Sequence, residues 1–148
     1  MKIYFDVCCI NRPFDDQNQV RIHLEAEAIL SILKNIDNGL WLFVSSDVVS
    51  MEIKKTSDPE RCERLTSINN KAKNYVSVDE DILNRTKDIQ AMGFTTYDAM
   101  HIACSEKAKV DVFFTTDDKL LKSAFRNKEK LSILIQNPLI WLQKELIK

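Results

Sequence analysis

Glycine and proline are scarce in this chain of 148 residues, which contains only two glycines and three prolines. Linkers between domains are usually rich in these residues, so their scarcity argues against an internal domain boundary. The length also suits one hydrophobic core of ordinary size. We therefore expect residues 1–148 to form a single domain.

Other features are missing as well. No apolar stretch reaches the roughly 18–20 residues of a membrane span, and no signal-peptide cleavage site follows Met1 and Lys2. We therefore expect no membrane partner. The four cysteines show no CxxC spacing, which predicts reduced thiols in a cytoplasmic protein. The net charge is only −1, so nucleic-acid binding would need a local cationic patch.

The sequence does contain alternating strand and helix patterns. Runs of β-branched and aromatic residues predict strands at about 2–6, 40–44, 74–78, 110–115 and 131–135. Apolar periodicity and capping signals predict helices at about 19–38, 46–55, 79–92, 95–107, 118–126 and 138–146, and a further helix opening at Pro59. Turn residues at 11–18 predict a loop. This order predicts an α/β fold, a three-layer α/β/α sandwich around a central parallel sheet of about five strands.

Asp6 interrupts an otherwise apolar run from Ile3 to Ile10, which has the composition of a buried strand. An ionised carboxylate at the end of a buried strand is costly unless it has a partner. A hard cation such as Mg²⁺ is one such partner. Backbone N–H groups that the carboxylate caps are another, and the sequence leaves both readings open.

Three further carboxylates follow predicted strands or open predicted helices. Asp117 lies just past the fourth strand, Glu52 lies one or two helical turns past the second, and Asp98 opens a helix. Sites in open parallel sheets form at the carboxyl ends of the strands. If the first and fourth strands are neighbours, Asp6 and Asp117 converge, and the helices bring Glu52 and Asp98 over the same edge.

Each of these carboxylates also has a purely structural interpretation. Asp98 follows Thr95 by three residues, as in a capping box, and Asp117 or Asp118 is a plausible helix N-cap. Glu52 lies on the apolar stripe of its helix, from which a long side chain can still reach water.

The joint pattern resembles the PIN domain, the small nuclease domain of many bacterial and archaeal toxins in toxin–antitoxin pairs. The matching pieces cover nearly the whole chain: an apolar strand ending in Asp6, VSSDVVSMEI ending at Ile53, TYDAMHIA ending at Ala103, and FTTDDKLL ending at Leu121. The match departs after the first strand, where residues 8–16 make a longer loop than is usual in such toxins.

The resemblance implies an acidic catalytic site made of Asp6, Glu52, Asp98 and Asp117, with Thr116 as the hydroxyl beside it. It further implies a divalent-metal-dependent endoribonuclease that acts on RNA, a small antitoxin partner and a homodimer. We expect Asp6, Asp98 and Asp117 to ligate the metal. An all-carboxylate site favours Mg²⁺ or Mn²⁺ over Zn²⁺.

Substrate contacts are also predicted. Arg12 and Arg21 flank the acidic loop and can grip a phosphate bidentately. The additional carboxylates of the first loop and helix are expected to face solvent for the most part: Asp15, Asp16, Glu25 and Glu27. Two other functions stay open. One is a non-catalytic PIN-like module that binds nucleic acid or protein, and the other is a hydrolase of small phosphate esters, which the Asp6-x-Cys8 spacing disfavours.

Overall fold

The computed structural model describes all 148 residues, and a fully parallel sheet forms its centre. The five strands are β1 (Lys2–Phe5), β2 (Leu42–Ser46), β3 (Asn74–Val76), β4 (Val112–Phe114) and β5 (Leu134–Gln136). They are arranged in the order β3-β2-β1-β4-β5, and each neighbouring pair is parallel. The prediction of a parallel sheet of about five strands is confirmed, and β1 and β4 are neighbours.

Eight α-helices connect and cover the strands. They are α1 (Val7–Asn11), α2 (Val20–Asp37), α3 (Asp47–Lys54), α4 (Pro59–Asn69), α5 (Glu80–Gln90), α6 (Thr96–Lys107), α7 (Asp118–Arg126) and α8 (Pro138–Leu146). None of them is both long enough and apolar enough to cross a membrane. All four cysteines are free thiols.

The helices cover both faces of the sheet. Tyr4 and Phe113 are paired across β1 and β4 with ring centroids 5.3 Å apart, and His101 of α6 packs against both rings. Phe114, the next residue along β4, packs instead on Trp141 of α8 at 5.1 Å. Successive strand residues point to opposite faces, so α6 and α8 lie on opposite sides of the sheet. The predicted three-layer α/β/α architecture is therefore confirmed.

The segment after β1 differs from the prediction. The apolar run to Ile10 suggested an extended strand followed by a loop. The structure instead ends β1 at Phe5, begins α1 at Val7 and continues into a 3-10 turn at Arg12–Phe14. Asp6 is the N-cap of α1, and its carboxylate accepts a hydrogen bond from the backbone N–H of Cys9 at 3.0 Å. This cap supplies local stabilisation that the weak helix propensity of the apolar run lacks.

Three strands also begin later than the sequence suggested, and for β4, which begins at Val112, the shift is two residues. Pairing with β1 starts at Leu42, and Leu40 is exposed before it. β5 begins at Leu134 because a 3-10 turn occupies Lys128–Lys130 and the N–H of Ser132 donates to Glu106. These shifts leave the carboxyl edge of the sheet, where the candidate site lies, unchanged.

Candidate active site

The candidate site lies where β1 and β4 end side by side. The backbone N–H of Asp6 donates to the carbonyl of Phe114 at 3.1 Å, which ties the two strand ends together. Asp117 follows β4 by three residues and caps α7. Glu52 comes from α3, which follows the neighbouring strand β2, and Asp98 comes from the first turn of α6. Four separate elements thus bring the four predicted carboxylates to one edge.

Asp6 is the buried member of the group, with only 4% of its surface exposed. One carboxylate oxygen accepts the Cys9 N–H, and the other accepts the hydroxyl of Thr115. Burial raises the pKa of Asp6 from 3.8 to about 6, although these two hydrogen bonds lower it and the charge of Asp98 raises it further. Asp6 is therefore a helix cap whose ionised form is destabilised by burial. Capping of backbone N–H groups and pairing with a cation, the two interpretations of its sequence position, are thus compatible.

Asp117 and Asp98 also cap or open helices. The Oδ1 atom of Asp117 accepts from the N–H groups of Lys119 at 2.9 Å and Leu120 at 3.4 Å. The N–H of Asp98 donates to the Thr95 hydroxyl at 3.2 Å. Burial raises the pKa of Asp98, the Thr95 hydroxyl lowers it, and the charge of Asp117 raises it. Asp117 is therefore a helix N-cap as predicted, and its cap uses only Oδ1. Of the capping box predicted for Asp98, the structure shows the bond to the Thr95 hydroxyl.

Glu52 is connected to the core by a histidine. Its Oε1 atom is hydrogen bonded to Nε2 of His101, whose Nδ1 lies 2.6 Å from the Tyr4 hydroxyl. The Glu52 side chain is 26% exposed, and His101 is buried. Glu52 thus reaches the site from the apolar stripe of α3, as its sequence position predicted.

The charges of the four carboxylates act on a common neighbour, Cys8. Partial burial, followed by the charges of Asp6, Asp117, Glu52 and Asp98, raises the pKa of its thiol to about 12. A negative potential therefore fills this part of the surface. It disfavours the Cys8 thiolate, and it favours any bound cation.

A cleft of about 450 Å³ opens over the site. Its walls are formed by residues of α1, the 3-10 turn that follows it, α3 and the segment after β4: Val7, Cys8, Asn11, Arg12, Asp15, Glu52, Thr116 and Asp117. Asp6 lies beneath this wall, and Asp98 borders a separate small recess with Lys119. The cleft gives access to two of the four carboxylates directly.

The residues present fit a hard divalent cation by their chemistry. The donors are carboxylate oxygens, which hard cations prefer. The Asp6 carboxylate is buried, which makes its ionised form costly, and neighbouring carboxylates raise the pKa values of Asp6 and Asp98. A bound cation would offset both costs. No three acidic, histidine or cysteine side chains lie close enough together to coordinate one ion at once. Simultaneous coordination by Asp6, Asp98 and Asp117 therefore requires these side chains to move closer together.

The predicted substrate residues lie near the cleft but are engaged by acids. Arg12 contacts Glu25 at 3.1 Å and Asp15 at 3.3 Å. Arg21 forms a bidentate pair with Asp118 and also contacts Glu25 at 3.3 Å. Neither arginine presents an unpaired guanidinium to the cleft as it stands.

Sequence reasoning missed the roles of two residues at this edge. Thr115, and not Thr116, donates to Asp6, while Thr116 lines the cleft. Glu25 was expected to face solvent, but it is 1% exposed and also accepts from Asn137 at 2.6 Å. The local signal for its burial is helical spacing, because Ile29, Ile32 and Ile36 follow Glu25 by four, seven and eleven residues on the buried face of α2.

Comparison with known proteins places this geometry in context. A model of the PIN domain family matches residues 3–126. The structure is similar to that of VapBC-1 from nontypeable Haemophilus influenzae, with a TM-score of 0.59, 15% identity, and coverage of 93% of this chain and 98% of the other. It is also similar to VapBC2 from Rickettsia felis bound to a DNA fragment from their promoter, with a TM-score of 0.55, 9% identity and the same two coverages. At these identities the structural likeness shows the fold alone. No protein of curated function matches the chain.

Proposed function

The chain belongs to the PIN domain family, and from that premise we propose that it is a divalent-metal-dependent endoribonuclease. The observation that carries the proposal is the convergence of Asp6, Glu52, Asp98 and Asp117 at the carboxyl edge of β1 and β4. Of these four acidic side chains, only Glu52 has a basic partner, His101. Ion pairing within the protein therefore does not explain why the four side chains lie together.

In this proposal Asp6, Asp98 and Asp117 hold the cation, which is Mg²⁺ or Mn²⁺ because the donors are hard oxygens. When bound, such a cation lowers the pKa of water and neutralises charge that develops on phosphodiester oxygens. Thr115 keeps the buried Asp6 carboxylate in place through its hydroxyl. Glu52 lines the cleft and would orient the attacking water there.

In this proposal the residues on the rim of the cleft contact the RNA. Thr116 lines the cleft and offers a hydroxyl to a phosphate oxygen. Arg12 and Arg21 contact phosphates through N–H groups that their carboxylate partners release, because a phosphate is an equally good bidentate acceptor. With a net charge of −1, these local cations have to supply the attraction for RNA.

We further propose that the protein is the toxin of a toxin–antitoxin pair, acts in the cytoplasm and forms a homodimer. The solved neighbours are VapBC proteins, which supports a small antitoxin as partner. Trp141 on α8 is not available to a dimer interface, because it is 5% exposed and packs in the core. The surface that supports a dimer is instead the β5 patch, formed by Phe125, Leu134 and Ile140, which are 70%, 51% and 45% exposed.

The test is cleavage of labelled single-stranded RNA by protein stripped with chelator. We expect cleavage after addition of Mg²⁺ or Mn²⁺ and none in excess chelator. Asp6→Asn should abolish cleavage. Asp79→Asn is the matched control, because Asp79 also caps a helix, α5, through the Ile82 N–H at 2.9 Å but lies outside the site. Equal cleavage with chelator, or loss of cleavage in both variants, contradicts the proposal.

A further inference from the structure

A chain of hydrogen bonds runs from the buried end of β2 to the cleft. The Ser46 hydroxyl lies 2.7 Å from the Tyr4 hydroxyl, which lies 2.6 Å from Nδ1 of His101. Nε2 of His101 is bonded to Oε1 of Glu52. Of these four residues, only Glu52 has a role in the function proposed above, which is to orient the attacking water.

The chain joins four elements and is almost wholly buried. Ser46 ends β2, Tyr4 lies in the central strand β1, His101 lies on α6 and Glu52 lies on α3. The first three are at most 1% exposed, whereas Glu52 is 26% exposed and lines the cleft. Only the Glu52 end of the chain therefore meets the solvent.

The hydrogen bond between Nε2 of His101 and Oε1 of Glu52 requires a proton on one of the two atoms. An ionised carboxylate only accepts hydrogen bonds, so with Glu52 ionised the proton lies on Nε2. The Tyr4 hydroxyl can donate to Nδ1 or accept from it, and the Nε2 bond is the same in both cases. The imidazole also packs edge-on against Tyr4 and Phe113, with ring centroids 5.6 Å and 6.4 Å away. Rotation of the ring would break both hydrogen bonds and this packing.

We infer that His101 is a positioning residue that holds the Glu52 carboxylate in its working orientation at the cleft. The bond fixes Oε1, and no hydrogen bond from the protein reaches Oε2, which stays available to a water or ligand. The inference rests on the proposed function, because it explains how one of the proposed catalytic carboxylates is held. The competing explanation is that the buried chain serves stability alone.

Two substitutions of His101 separate these explanations. In His101→Gln the side-chain amide nitrogen takes the place of Nε2 and can still donate to Glu52. In His101→Asn the amide takes the place of Nδ1, near Tyr4, and is too short to reach Glu52. We expect His101→Gln to cleave RNA within about threefold of the parent at saturating Mn²⁺. His101→Asn should lose about 10- to 100-fold, the range seen when a partner that orients a ligand is removed.

Tyr4→Phe is the control for a purely structural effect. It removes the hydroxyl that bonds Nδ1 and Ser46 but leaves the Nε2 bond to Glu52. We expect its urea unfolding midpoint to fall while RNA cleavage stays within about threefold of the parent. If Tyr4→Phe loses as much cleavage as His101→Asn, or if the two His101 variants cleave equally, the inference is overturned.

A double-mutant cycle in urea unfolding tests the same bond without any cleavage assay. His101→Asn should lower the unfolding midpoint less in a Glu52→Ala background than in the parent, because the bond is then already absent. Equal losses in the two backgrounds overturn the inference. If the parent protein cleaves no RNA, the proposed function fails, and this cycle still decides whether His101 holds Glu52.

Discussion

Replacing Asp6 with asparagine removes one charge from the site and keeps the shape of the side chain. In the metal-free protein the buried carboxylate has a pKa of about 6 in place of 3.8. Because a raised carboxyl pKa means that the folded state prefers the protonated form, ionisation of Asp6 destabilises the fold. The contribution of protonated Asp6 to stability is thus fully present below the pKa that Asp6 has in the unfolded chain. It is lost as the pH rises through the pKa of about 6 that Asp6 has in the folded protein.

The size of the effect follows from that pKa and two hydrogen bonds. The difference between 3.8 and about 6 corresponds to about 3 kcal/mol at pH 8. Asparagine keeps the oxygen that accepts from Cys9, but its amide meets the Thr115 hydroxyl, whose proton then loses its acceptor at a cost of about 1 kcal/mol. Asp6→Asn should therefore stabilise the metal-free protein by roughly 2 kcal/mol at pH 8 and by less than about 1 kcal/mol at pH 5.

Urea unfolding in chelator at the two pH values checks this prediction, with Asp79→Asn as the control variant at a helix cap outside the site. The melting temperature should rise by roughly 4–8 °C at pH 8 in the Asp6 variant. Saturating Mn²⁺ should stabilise the parent more than the variant, because a ligand stabilises only the state that binds it. An Asp6→Asn protein that is less stable than the parent at pH 8 and keeps the full Mn²⁺ effect would refute the reasoning.

Three other predictions concern neighbouring features. Thr115→Val removes one of the two hydrogen-bond donors to Asp6. The free energy of unfolding at pH 8 should therefore fall by about 1–3 kcal/mol, and RNA cleavage should fall as well. Unchanged urea unfolding curves would contradict this prediction. Glu25→Ala removes the acceptor of hydrogen bonds from Arg21 and Asn137 and should cost about 1–3 kcal/mol in urea unfolding. A loss below about 1 kcal/mol would show that these bonds contribute little. Light scattering should give twice the chain mass of 17.1 kDa, and Phe125→Glu in the β5 patch should lower it; a monomer at every concentration would exclude the dimer.

The edge of the sheet on which the carboxylates meet was predictable because hydropathy patterns indicate which segments are strands and helices, and parallel strands end at the same edge. Asp6 and Asp117 were expected to converge if the first and fourth strands paired, and they do pair. The pattern failed at α1, where Val7 to Ile10 have the composition of a strand. There the capping bond from Cys9 to Asp6 and the packing of Cys9 and Ile10 outweigh local propensity.

Contacts between residues distant in sequence could not be predicted from the sequence. The bond from His101 to Glu52 spans 49 residues, and the bond from Asn137 to Glu25 spans 112. No local pattern marks either pair, because each depends on how whole helices pack. The choice between the adjacent hydroxyls Thr115 and Thr116 was likewise undetermined, since it depends on the direction in which the chain leaves β4.

The central position of β1 has a consequence for the timing of synthesis. β1 is made before the other strands of the sheet, yet one of its two neighbours, β4, ends at Phe114. Asp6 and Asp117 are separated by 111 positions, which a ribosome adding 5–20 residues per second needs about 6–20 s to cover. During that interval the nascent chain contains Asp6 but not yet Asp117. The acidic site therefore assembles only after β4 has been synthesised, and incomplete chains that end before β4 lack it.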